Sequence, residues 1–64
     1  MGTIHITYKR TRLCREAGFR GEVDVFEDGK RLEETFLTNE SKEQIVKQHQ
    51  QVGREVFLNG VLQK

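Results

Sequence analysis

A chain of 64 residues with 34% hydrophobic and 33% charged side chains describes one small domain, residues 1–64, with a thin stability margin. Eleven Lys plus Arg against ten Asp plus Glu leave a formal charge of +1, unlike the strongly basic chains dedicated to nucleic acid. The longest apolar run, Val56-Phe57-Leu58, is far below the roughly 18 residues of a bilayer span, residues 1–8 carry no apolar leader, and the lone Cys14 cannot form an internal disulfide, so no membrane association and a reducing, cytoplasmic setting are expected.

Thr3 to Arg12 alternates, with Ile4, Ile6 and Tyr8 on one side and His5, Thr7 and Lys9 on the other, which predicts a strand with one buried face. From Leu13 to Gly21 the alternation stops, and Ala17, Gly18 and Gly21 around Phe19 read as a connecting loop with room for a short helical turn. Residues 22–26 and 32–37 are β-rich and flank Asp28-Gly29, a dipeptide suited to a type I′ turn because both of its residues tolerate positive φ. A two-residue turn pairs Val25 with Leu32, Glu27 with Lys30 and Gly21 with Phe36, and sets the like charges Asp24 and Glu33 opposite each other. The inner face of this hairpin is then Val23, Val25, Leu32 and Phe36, and the outer face carries Phe26, Arg31, Glu33, Thr35 and Leu37.

After Thr38 the period changes to that of a helix. Ser41 and Gln44 form a capping-box pair, and Ile45, Val46, His49, Val52, Gly53, Val56 and Phe57 make one apolar stripe. The helix either continues to Leu58 with Asn59-Gly60 as its C-cap, or ends at Gly53 with Arg54 to Leu58 as a strand turning at Asn59-Gly60 into Val61-Leu62. The stripe favours the longer helix. The expected fold class is therefore α+β: a three-stranded antiparallel β-meander packed on one C-terminal α-helix, with an extra short C-terminal strand as the alternative. Its core is Ile4, Ile6, Tyr8, Val23, Val25, Leu32, Phe36, Ile45, Val46, Val52, Val56 and Phe57.

Cys14, His5 and His49 lack the short spacing of a zinc site, so no metal and no cofactor are expected. Asp24, Glu33 and Glu34 could be drawn as an acid/base pair, but a domain this small is expected to lack a pocket of a few hundred cubic ångströms to desolvate them. Gly18 and Gly21 lack the Lys-Ser/Thr that follows a phosphate loop. The chain is accordingly expected to be no enzyme and to have no small-molecule substrate. Charge is uneven along it. The first 20 residues are basic, residues 21–46 acidic and the remainder weakly basic. Lys9, Arg10, Arg12, Arg15 and Arg20, with Phe19 or Phe26 to stack a base, form a candidate nucleic-acid surface; equally, these cations can balance the acidic hairpin.

The Val23-x-Val25-x-x-Asp28-Gly29-Lys30-Arg31 hairpin, Phe36-x-Thr38 and the capped helix from Glu40 to Ile45 resemble the arm-type DNA-binding domains of integrases and are similar in layout to plant AP2-type domains. The resemblance covers about a third of the chain. It implies a sheet face laid in the major groove, carrying Phe26, Arg31, Glu33 and Thr35 with Lys9 and Arg10 nearby. The residues read by themselves favour a different task. Exposed apolar groups rimmed by charge suit a protein-binding surface, here Phe26, Arg31, Glu33, Leu37 and Phe19. The expected function is a small intracellular regulator or inhibitor that binds another protein through the outward sheet face and the basic loop. A second copy of the chain is a further candidate partner, and DNA or RNA binding is the alternative.

Overall fold

The computed structural model describes residues 2–32 and 34–64. Strand β1 (Thr3–Lys9) leads through helix α1 (Arg12–Ala17) into β2 (Gly21–Glu27), which turns into β3 (Lys30–Arg31) and β4 (Phe36–Thr38). Helix α2 (Lys42–Gln50) then crosses to β5 (Glu55–Leu58) and β6 (Val61–Gln63). The six strands form one mixed sheet in the order β3-β2-β1-β5-β6, with β4 on the same edge of β2 as β3. All neighbours are antiparallel except β1 and β5, which run parallel, Ile4 beside Val56 and Ile6 beside Leu58.

This overturns the expected three-stranded meander with a single helix. Two local features and one long-range one account for the difference. The supposed loop contains α1, because the Thr11 hydroxyl accepts the Cys14 N–H at its start and Gly18, at φ 78°, receives the chain in the left-handed conformation at its end. Helix α2 has the expected capping box at Ser41 and Gln44 but stops at Gln50, so the apolar stripe is cut short: Val52 is 69% exposed, and residues 55–63 form two strands around Asn59-Gly60. Val56 and Phe57, β-branched and aromatic, then add a strand to β1. That parallel pairing spans about fifty residues of chain and leaves no local trace.

Both tight turns have positive φ at both central residues, Asp28 and Gly29 in one and Asn59 and Gly60 in the other, as type I′ geometry requires. Beyond the first turn the expected register holds for Glu27 with Lys30 and then shifts by two residues, so that Gly21 faces Thr38 rather than Phe36, and Val23 faces Phe36. An even shift keeps every side chain on its face. Phe36 still packs against the core, whereas Leu32, expected inside, lies where the pairing breaks and is 45% exposed. Glu33, and with it the Asp24–Glu33 opposition, lies outside the described residues.

Ile4, Ile6, Val23, Val25 and Val56 from the sheet and Ile45 and Val46 from α2 make the core, with Tyr8, Phe36 and Leu58 at its margin. Phe57, expected among them, points to the opposite face. Asn59 extends the β1 edge past the end of β5: its N–H donates to the Ile6 carbonyl at 2.8 Å, its Oδ1 accepts the Tyr8 N–H at 3.0 Å and its Nδ2 donates to the Tyr8 carbonyl at 3.2 Å. Among the described residues no helix is long and apolar enough to cross a membrane.

Candidate functional site: an open sheet face and a basic cleft

Because α2 covers the face that holds Ile6, Val25 and Val56, the alternate residues of the same strands lie on the other side. Cross-strand register aligns five of them in one row: Arg31 on β3, Phe26 on β2, His5 on β1, Phe57 on β5 and Leu62 on β6. The Arg31 guanidinium carbon sits 4.9 Å from the Phe26 ring centroid, a cation–π contact. His5 and Phe57 are stacked, with centroids 4.9 Å apart and planes 11° apart. Phe26 and Phe57 are half-buried, and Arg31, His5 and Leu62 are exposed.

Beside this row the charges are matched. Lys9 pairs with Glu22 at 3.6 Å, and Arg31 with Asp24 at 2.6 Å. Asp24 also accepts a hydrogen bond from the Thr35 hydroxyl, which in turn accepts from Arg31 at 2.9 Å. The Thr35 hydroxyl first, and then the Arg31 guanidinium, hold the Asp24 carboxyl below the usual carboxylate range, with Lys9 adding a smaller pull. A carboxyl whose pKa is lower folded than unfolded contributes stability above its unfolded value near 3.9 and loses it as pH falls through the folded value. Urea midpoints should therefore fall more steeply below about pH 4 for the wild type than for Asp24→Asn. Equal acid losses in the two proteins would remove Asp24 from this role.

The five cations of the Lys9–Arg20 segment differ in their partners. Lys9 is held by Glu22 and Arg12 by Glu16 at 3.2 Å, while Arg15 lies exposed in the last turn of α1. Arg10 and Arg20 instead meet Lys42 of α2 around a cleft of about 350 Å³ at the end of the sheet, together with Tyr8, Ser41, Glu43 and Asn59. The cleft is open-mouthed, and neither Asp24 nor Glu34 lines it. Of the expected protein-binding residues, Phe26 and Arg31 share the open row. Leu37 is half-buried opposite Glu22, Phe19 follows α1 with 37% exposure, and Glu33 lies outside the described residues.

His5, Phe57, Leu62 and Lys42 were missed from the sequence. The alternation of β1 already put His5 outward, but the face of Phe57 depends on residues 55–58 being a strand, and Lys42 joins the arginines only through the fold. Cys14 is fully buried outside the main core cluster, with its sulfur accepting from the Thr11 hydroxyl at 3.2 Å. Among the described residues no three His, Cys, Asp or Glu side chains gather to hold a metal ion. Comparison with known proteins finds no matching family model, no similar curated protein and no similar solved structure.

Proposed function

We propose that this chain is a small non-enzymatic regulator or inhibitor that acts in the cytoplasm by binding another protein through its open sheet face. The observation that carries the reading is the row Arg31, Phe26, His5, Phe57 and Leu62, which gathers aromatic, Arg and aliphatic side chains on five adjacent strands. Aromatic and Arg side chains dominate the binding energy of protein interfaces, and here the stacked and cation–π contacts hold them in place before a partner arrives. The pairing of Lys9 with Glu22 and of Arg31 with Asp24 leaves little unbalanced positive charge on this face, which favours a protein partner with an apolar patch over a phosphate backbone. Arg15 in the last turn of α1 and Phe19 just after that helix form a second contact element, and the free thiol of Cys14 suits a reducing compartment.

The test is affinity capture from a lysate of the source cells with the wild type, Leu62→Ser and Phe57→Ser, each first shown to be folded by circular dichroism. A captured protein that both variants lose by about tenfold or more is the expected result. Capture that is the same for all three would sink the proposal. So would micromolar binding of mixed-sequence DNA or RNA that collapses between about 50 and 200 mM salt, the signature of phosphate-dominated association.

A further inference from the structure

The cleft at the end of the sheet is separate from the aromatic row and brings together cations from three parts of the chain: Arg10 just after β1, Arg20 just before β2 and Lys42 in the first turn of α2. Among the described residues none of the three is ion-paired, whereas Lys9, Arg12, Arg31 and Arg54 each have a carboxylate partner. Among the described residues Glu43 is the single acid in the lining. The remaining walls are already committed: the Tyr8 hydroxyl donates to the Glu40 carbonyl at 2.7 Å, and the Asn59 side chain is spent on the Tyr8 backbone. Tyr8 and Asn59 thus fix the shape of the cleft, and the two guanidiniums and the ammonium are the groups left to meet a ligand. The positive end of α2 opens onto the same space through Ser41 and Lys42.

We propose that this cleft binds a small molecule carrying a phosphate monoester, with Arg10, Arg20 and Lys42 taking the phosphoryl oxygens. Three cations against Glu43 leave two positive charges for a dianion. Two guanidiniums can each offer paired N–H groups to phosphoryl oxygens, a geometry an ammonium alone cannot supply. A volume of about 350 Å³ lies within the range of small-molecule sites and exceeds what a bare phosphate fills, so an organic group attached to the phosphate has room against Tyr8. The inference stands independently of the protein-binding reading, because it uses none of the residues in the aromatic row.

The experiment is an amide NMR titration of the full chain at constant ionic strength with inorganic phosphate, phenyl phosphate and phenyl sulfate. The expected result is saturable binding of phenyl phosphate with a Kd of about 1 mM or tighter, weaker binding of phenyl sulfate, and shifts centred on residues 10, 20, 41–43 and 59. Arg10→Gln with Arg20→Gln should weaken binding by at least about tenfold, and Arg12→Gln with Lys47→Gln, which removes the same charge outside the cleft, should leave it unchanged. If the cleft double variant fails to fold, Lys42→Gln alone provides the reading, with a loss of about tenfold expected. No saturation up to about 10 mM would overturn the proposal, as would equal weakening by the two double variants. An unphosphorylated single-stranded decanucleotide that binds about a hundredfold tighter than phenyl phosphate would also overturn it, in favour of a nucleic-acid surface.

Discussion

Ile6→Ala is expected to lower stability by about 2–5 kcal/mol, against a total of about 3–10 kcal/mol for a domain of this length. Ile6 is 1% exposed and sits in the central strand, between Val25 of β2 and Leu58 of β5, so both halves of the sheet meet the core through it. Truncation removes apolar area and leaves a cavity. The cavity lies between the hydrogen-bonded sheet and Ile45 and Val46 of α2, and a close-packed core relaxes only in part to fill it. Urea unfolding followed by circular dichroism should show a strongly reduced midpoint, with a large unfolded fraction before denaturant is added. Thr7→Ala, one residue along on the open face and exposed, should change stability by no more than about 0.5 kcal/mol. An Ile6→Ala midpoint equal to that of the wild type would contradict the placement of β1 between β2 and β5.

The second large effect concerns the packing of Tyr8 across Gly21. A Cβ built on Gly21 would overlap Cζ of Tyr8 and lie 2.5 Å from its Cε1 and 2.7 Å from its hydroxyl oxygen, so the ring can reach the Glu40 carbonyl only because residue 21 has no side chain. Gly21→Ala must push the ring aside and break that hydrogen bond. Destabilisation of about 1–3 kcal/mol is expected. In the Tyr8→Ala background the added methyl meets no ring, so the same substitution should cost at least about 1 kcal/mol less. A double-mutant cycle by urea unfolding checks this, and strict additivity of the two substitutions would show that the ring does not lie over Gly21. Because Tyr8 also lines the basic cleft, Gly21→Ala should weaken phenyl phosphate binding as well, which ties the packing of the sheet to the shape of the site.

Several local structures were legible in the sequence because their causes lie within a few residues. The alternation of Ile4, Ile6 and Tyr8 marked β1 and its buried face, Asp28-Gly29 marked a I′ turn, and Ser41 with Gln44 marked the start of α2. Val23, Val25, Ile45 and Val46 were correctly placed in the core for the same reason, since their faces follow from strand or helix periodicity once the element is known, whereas Val56 is buried from β5 and not from the helical stripe. The sequence also admitted both outcomes for residues 54–62. Its apolar spacing favoured a helix, while Val56-Phe57 and Asn59-Gly60 fitted a hairpin equally well.

Tertiary structure decided between those outcomes, because β5 gains a hydrogen-bonded neighbour in β1 that no nearby residue announces. That single pairing turns Phe57 away from the core and onto His5, completes the row from Arg31 to Leu62, and places Asn59 against Tyr8. The same holds for charge. Composition set the near-neutral total, but only the fold determined that Lys9 and Arg12 form ion pairs while Arg10, Arg20 and Lys42 converge on one cleft with no ion pair among the described residues. The sequence by itself determined the periodicities, caps and turns, which are short-range preferences of the backbone; the parallel strand pairing and the grouping of side chains into sites arise from contacts distant in the chain, whose closure entropy is offset only by the completed core.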